Sequence, residues 1–147
     1  ILLGHAGGLA VSRTGNNVLT ARAGSTAKVV FIGGSGNDRL TGAEGSDVLV
    51  SGAGENQLSG GGGADVFYAG SSMNRLVGGL GDDRYVFLDG MGANRIVDNQ
   101  GLNIFEFTGA LPIVPLFPSQ MRGAFVNNDI LAPGNSPGLL AGPRQVP

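Results

Sequence analysis

The chain has 147 residues, 28 of them glycine, with 41% apolar residues, no cysteine and a formal net charge of −2. These values exclude disulfides and thiolate metal sites, and they give no reason to invoke nucleic acid. No apolar run reaches the roughly 20 residues that a membrane-spanning helix needs.

Glycine far above its usual share of about 7%, with no three-residue period, excludes collagen. It also imposes a large entropic cost on any ordered state. Repetition offsets that cost, because stacked turns bury a continuous core and bond backbone to backbone. The sequence opens at Ile1 without a cleavable leader, as a fragment or a processed product would. Residues 1–32 read as degenerate N-terminal cap and turns, with one weak nine-residue unit, SRTGNNVLT, at 12–20.

From residue 33 the period is nine. Six uninterrupted units run GGSGNDRLT (33–41), GAEGSDVLV (42–50), SGAGENQLS (51–59), GGGGADVFY (60–68), AGSSMNRLV (69–77) and GGLGDDRYV (78–86). After the inserted Phe87 and Leu88 come DGMGANRIV (89–97) and DNQGLNIFE (98–106). Position 8 is always large and apolar: Leu40, Leu49, Leu58, Phe67, Leu76, Tyr85, Ile96 and Phe105. Positions 7 and 9 flank it, so each unit ends in a short alternating strand. Positions 1 to 6 are rich in Gly, Ser, Asn and Asp, the chemistry of a tight turn.

A three-residue strand and a six-residue turn, repeated, wind into two facing parallel sheets, with successive units in opposite sheets. Units two apart, eighteen residues, should therefore stack. No window in 33–106 is free of glycine for long enough to form three helical turns. Residues 107–131 read as an extended capping segment around the proline-broken ALPIVPLFP at 110–118, and 132–147 as a flexible Pro/Gly tail.

The units resemble the G-G-x-G-x-D-x-U-x repeat of RTX, or haemolysin-type, calcium-binding proteins, where U is a large apolar residue. Residues 85–107 are also similar to the segment that closes such arrays, with Asn94 and Asn103 where Asp is usual. The resemblance implies an all-β, right-handed parallel β-roll that binds calcium at its turns. In that family one ion sits between stacked turns. It takes the position-6 carboxylate of each, carbonyls of positions 2 and 4 of one, and carbonyls of positions 1 and 3 of the next.

Carried onto this chain, one edge of the roll collects Asp47, Asp65, Asp83 and Asn103, and the other Asp38, Asn56, Asn74 and Asn94. Two complete sites follow on the first edge. Asp47 with Asp65 would use the carbonyls of Ala43, Gly45, Gly60 and Gly62. Asp65 with Asp83 would use those of Gly61, Gly63, Gly78 and Leu80. Asp38 with Asn56 makes at best a half-charged site, and the asparagines beyond it suggest an amide ladder. The expectation is about two calcium ions.

Positions 7 and 9 of the odd units, among them Arg39, Arg75 and Arg95, make a soluble outward face. On the even units they are Val48, Val50, Val66, Tyr68, Arg84, Val86, Ile104 and Glu106. The apolar six (Val48, Val50, Val66, Tyr68, Val86 and Ile104) point to a protein partner or a parent-protein domain on that face, or to the 110–118 segment.

No enzyme constellation is present. His5 is the sole histidine, so it builds no triad or zinc site. GGGGAD at 60–65 lacks the Lys-Ser/Thr of a phosphate loop. The family resemblance implies export by a type I system to the cell exterior or surface, with the periplasm as the other compartment, and folding on meeting calcium. The competing reading is a structural or interaction subunit that needs little calcium.

Overall fold

The computed structural model describes residues 2–3, 6–88 and 92–108. His5, the 110–118 segment and the 132–147 tail lie outside the described residues.

All regular structure among the described residues is strand. The strands are β1 (Leu2–Leu3), β2 (Gly8–Val11), β3 (Val18–Ala21), β4 (Val29–Ile32), β5 (Arg39–Thr41) and β6 (Val48–Val50), then β7 (Asn56–Gly62), β8 (Val66–Ala69), β9 (Asn74–Leu80), β10 (Arg84–Phe87), β11 (Arg95–Val97) and β12 (Ile104–Phe107). Odd strands form one six-stranded sheet and even strands the other, each in chain order and parallel throughout. This is a β-solenoid with one unit per half-turn.

Register follows unit length. Leu40 pairs with Leu58 and Leu49 with Phe67, an offset of 18 residues. Across the Phe87–Leu88 insertion the offset grows to 20, as in Leu76 with Ile96 and Tyr85 with Phe105. Upstream it is 21 between β3 and β5 and between β2 and β4, as in Leu19 with Leu40 and Ala10 with Phe31, and 18 again between β1 and β3. The irregular stretch before residue 33 is therefore itself rungs of the roll. Residues 24–32 close a half-turn in which Val29 takes the position that aspartate holds later.

The interior is the column of position-8 side chains. Leu19, Leu40, Leu58, Leu76 and Ile96 face Ala10, Phe31, Leu49, Phe67 and Tyr85 in one buried cluster. Toward the C-terminal end the even column turns aromatic. Phe67 stacks on Tyr85 at 4.9 Å and Tyr85 on Phe105 at 5.1 Å between ring centroids. The inserted Phe87 pairs with Ala69 of β8, is buried and stacks on Phe107 at 4.9 Å, so the insertion adds to the core rather than interrupting it.

The outward face of the even sheet is apolar beyond the residues anticipated. Leu9 and Val11 on β2 are exposed, and Val30 and Ile32 on β4 half-exposed, in the same rows. One expectation changes: Val86 is buried, only 5% exposed, rather than free on that face. It lies between Tyr68 and Glu106 in register, and neighbours one rung away on each side shield a short branched side chain. Val48, Val50, Val66 and Tyr68 are half-buried for the same reason, while Ile104 is exposed. Arg84 and Glu106 pair across the last two strands, and the guanidinium holds the Glu106 carboxyl below its usual range.

Candidate metal centre

Turns at positions 1 to 6 line the two edges of the roll, and stacking brings like positions together. Asp47, Asp65 and Asp83 fall in one column, each almost wholly buried. Their Oδ1 atoms carry the stack. Asp47 Oδ1 accepts the Val29 N–H at 2.8 Å, Asp65 Oδ1 the Asp47 N–H at 2.7 Å, and Asp83 Oδ1 the Asp65 N–H at 2.8 Å. Asn103 Oδ1 closes the series on the Asp83 N–H at 2.8 Å.

The other oxygens behave differently. Oδ2 of Asp38, Asp65 and Asp83 is buried with no hydrogen-bond partner, while Asp47 Oδ2 accepts the Ala43 N–H at 2.9 Å. A bare buried carboxylate oxygen is costly unless something positive meets it. Each of these oxygens lies over the position-1 glycine of its own turn. A methyl on Gly33 would meet Asp38 Oδ2 at 2.7 Å and the Ser51 carbonyl at 2.6 Å; one on Gly42 would meet Asp47 Oδ2 and the Gly60 carbonyl. These glycines leave room for a carboxylate oxygen to pack against the backbone, and at Gly33 and Gly42 the position-1 carbonyl of the next turn comes to the same place.

The position-2 and position-4 carbonyls also line up. Those of Ala43 and Gly45 abut Gly61 and Gly63, whose own carbonyls abut Gly79 and Gly81. This approach leaves no room for a side chain, and it needs φ of 115° at Gly61 and 97° at Gly63. Gly62 and Leu80 pair in register in the same turns, Leu80 being exposed. Among the described residues no three His, Asp or Glu side chains converge as a metal cluster. A cation here would draw most of its oxygens from the backbone, as calcium readily does.

Electrostatics agrees. Burial pushes the Asp65 carboxyl up to about 7, with Asp83, Asp47 and Asp98 adding repulsion against a backbone bond to Asp47. Asp83 is likewise pushed up to about 7, first by burial and then by Asp98 and Asp82. Asp47 is raised too, by burial. These carboxylates are held charged only at a cost, which a cation between them would remove.

The other edge has solved the same problem without charge. Asn56 Nδ2 donates to Asn74 Oδ1 at 2.9 Å, and Asn74 Nδ2 to Asn94 Oδ1 at 2.7 Å. The same amides also donate to position-4 carbonyls: Asn56 to Gly54 at 2.9 Å, Asn94 to Gly92 at 3.2 Å. The NH₂ groups of Asn56 and Asn74 therefore bridge the next rung's oxygen and a turn carbonyl, the task a cation would perform. Asp38 stands at the head of this ladder, its Oδ1 accepting both the backbone N–H and the amide of Asn17.

Reading the sequence missed one carboxylate. Asp98 opens the last unit where Gly42, Gly60 and Gly78 open the others on this edge, and it is buried beside Asp83 and Tyr85. The departure from glycine at that position was the available signal.

The family model for the RTX calcium-binding nonapeptide repeat matches residues 30–58 and 50–85, with four copies. The match spans residues 30–85 and shows RTX-type repeats in that part of the chain. RTX repeats bind calcium and are structural rather than catalytic, and the array here forms a parallel β-roll. Neither the comparison with curated proteins nor that with solved structures finds a match.

Proposed function

We propose that this chain is the calcium-binding roll of a secreted or cell-surface protein, folding and rigidifying when calcium fills its even edge. The observation that carries the reading is the buried, unpartnered Oδ2 of Asp65 and Asp83, each packed against the position-1 glycine of its own turn. Asp47 with Asp65, and Asp65 with Asp83, would hold about two ions, with the Ala43, Gly45, Gly60, Gly62, Gly61, Gly63, Gly78 and Leu80 carbonyls completing the shells. Asp38 would hold a further ion weakly, since Asn56 brings no charge. Ligation free energy becomes folding free energy where the empty turns resist their own charge. RTX repeat proteins are typically secreted, and calcium outside the cell would supply the trigger.

The test is a calcium titration of the chelated chain, read by far-UV circular dichroism and calorimetry. A coil-to-strand transition with about two ions bound is expected. A roll fully formed in chelator and indifferent to calcium would overturn the proposal.

That result would favour the second reading, a scaffold docking through its even sheet. The observations behind that reading are the cation-free asparagine ladder and the exposed Leu9, Val11 and Ile104.

A further inference from the structure

The surroundings of Gly78 differ from those of the other position-1 glycines. A methyl there would meet three side-chain oxygens: Asp83 Oδ2, Asp98 Oδ2 and the Tyr85 hydroxyl. Asp83 and Tyr85 are at most 1% exposed and Asp98 is 6% exposed. Asp98 Oδ2 accepts the Tyr85 hydroxyl at 2.5 Å and its Oδ1 accepts the Gln100 N–H at 3.2 Å. Asp83 Oδ2 comes to the same place beside Gly78 and has no hydrogen-bond partner.

The place of this oxygen cluster in the stack gives it meaning. Over Gly42 the oxygen arriving from the next turn is the position-1 carbonyl of Gly60; over Gly78 the next turn sends the position-1 side chain of Asp98. In that same turn position 6 is Asn103, whose oxygen is taken by the Asp83 N–H. The turn that lacks a carboxylate at position 6 thus carries one at position 1. The carbonyl column continues as well, with the Gly81 carbonyl abutting Gly101 as that of Gly63 abuts Gly81.

We infer that Asp83 and Asp98 hold an additional calcium ion at the C-terminal end of the even edge, Asp98 supplying from position 1 the charge that Asn103 lacks. The Tyr85 hydroxyl keeps its proton and orients Asp98. Two anionic oxygens, one bare, suit a hard divalent cation, and burial makes them costly without one. This inference rests on the calcium reading above, and it raises the even-edge count from about two ions to about three.

The experiment is calcium calorimetry on the full chain and on Asp98→Asn, whose amide oxygen can still accept the Tyr85 hydroxyl. The inference expects one ion fewer in D98N, restored when Asn103→Asp is added. Equal stoichiometry and affinity in wild type and D98N would overturn it, leaving Asp98 as an acceptor for Tyr85 or a proton-sharing neighbour of Asp83, with the two upper sites intact. Absence of calcium binding in the wild type would overturn both readings.

Should D98N lose its strand signal, the wild-type chain carries the test with Tb³⁺ in place of calcium. Tyrosine-sensitised emission, measured in Tyr68→Phe so that Tyr85 is the only tyrosine, must keep rising to about the third equivalent. A plateau at the second would overturn the inference.

Discussion

Each position-6 aspartate is asked to do two things at once. Its Oδ1 holds the preceding turn's N–H, which any Asp or Asn can do, and in Asp65 and Asp83 its Oδ2 is left without a hydrogen-bond partner against a position-1 glycine. Replacing Asp65 by Asn therefore separates structure from ligation. The amide oxygen keeps the stacking bond, and the NH₂ can reach a position-4 carbonyl as Asn56 does. D65N should lose both proposed upper sites, yet its chelated form should be more stable by about 1–3 kcal/mol, since a buried unsatisfied acceptor disappears. Melting in chelator checks the second claim and calorimetry the first.

The raised carboxyls also set a pH dependence. Between about 4 and about 7 the folded chain keeps protons on Asp65 and Asp83 that the unfolded chain has released from groups with an ordinary value of 3.8. Their contribution to stability is thus full below about 4 and lost as pH rises through 7. In chelator the chain should melt higher at pH 5 than at pH 8. With calcium the order reverses, because the ion must displace those protons. A chelated midpoint that climbs steadily from pH 5 to 8 would contradict the assignment.

At the scale of the element, three-residue strands such as β5, β6 and β11 have no independent stability. They persist because each rung pairs with its neighbours in the sheet, two of them except at the ends, and the turns are tied to one another up the stack. The asparagine ladder is the clearest case. Asn74→Ala removes the bond received from Asn56 and the one given to Asn94. It should lower stability by about 1–3 kcal/mol, with or without calcium, as urea melts would show. Gly61→Ala places a methyl against the Ala43 carbonyl and forces a non-glycine residue to a φ of 115°. A loss of about 1–3 kcal/mol is expected, together with weaker calcium binding, since the displaced carbonyl belongs to the proposed shell.

At the scale of the whole molecule the roll is quasi-one-dimensional, each rung touching only its neighbours, so damage in the middle divides it. Phe67 sits between Leu49 and Tyr85 in the core column. Phe67→Ala should cost about 3–5 kcal/mol and expose strands on both sides together in hydrogen exchange, whereas substitution of Leu19 near one end should leave the distal rungs protected. The two edges divide the work unevenly: beyond Asp38 one is neutral and internally bonded, while the other stacks three buried carboxylates that a cation would neutralise. Such a molecule would be partly organised before calcium and completed by it.

The sequence by itself determined the repeat, the nine-residue register, the buried position-8 column, the two edge columns and the identity of the neutral ladder. It could do so because each of these is periodic, and a nine-residue unit is one half-turn wherever the glycines permit it. Only the tertiary structure decided which way individual oxygens face. The 21-residue offsets that bring residues 8–32 into the roll, the burial of Val86 and the meeting of Asp98 with Asp83 and Tyr85 all depend on neighbours a full turn away. At those places unit length or composition departs from the repeat, and a local pattern carries no information about what the next rung places opposite.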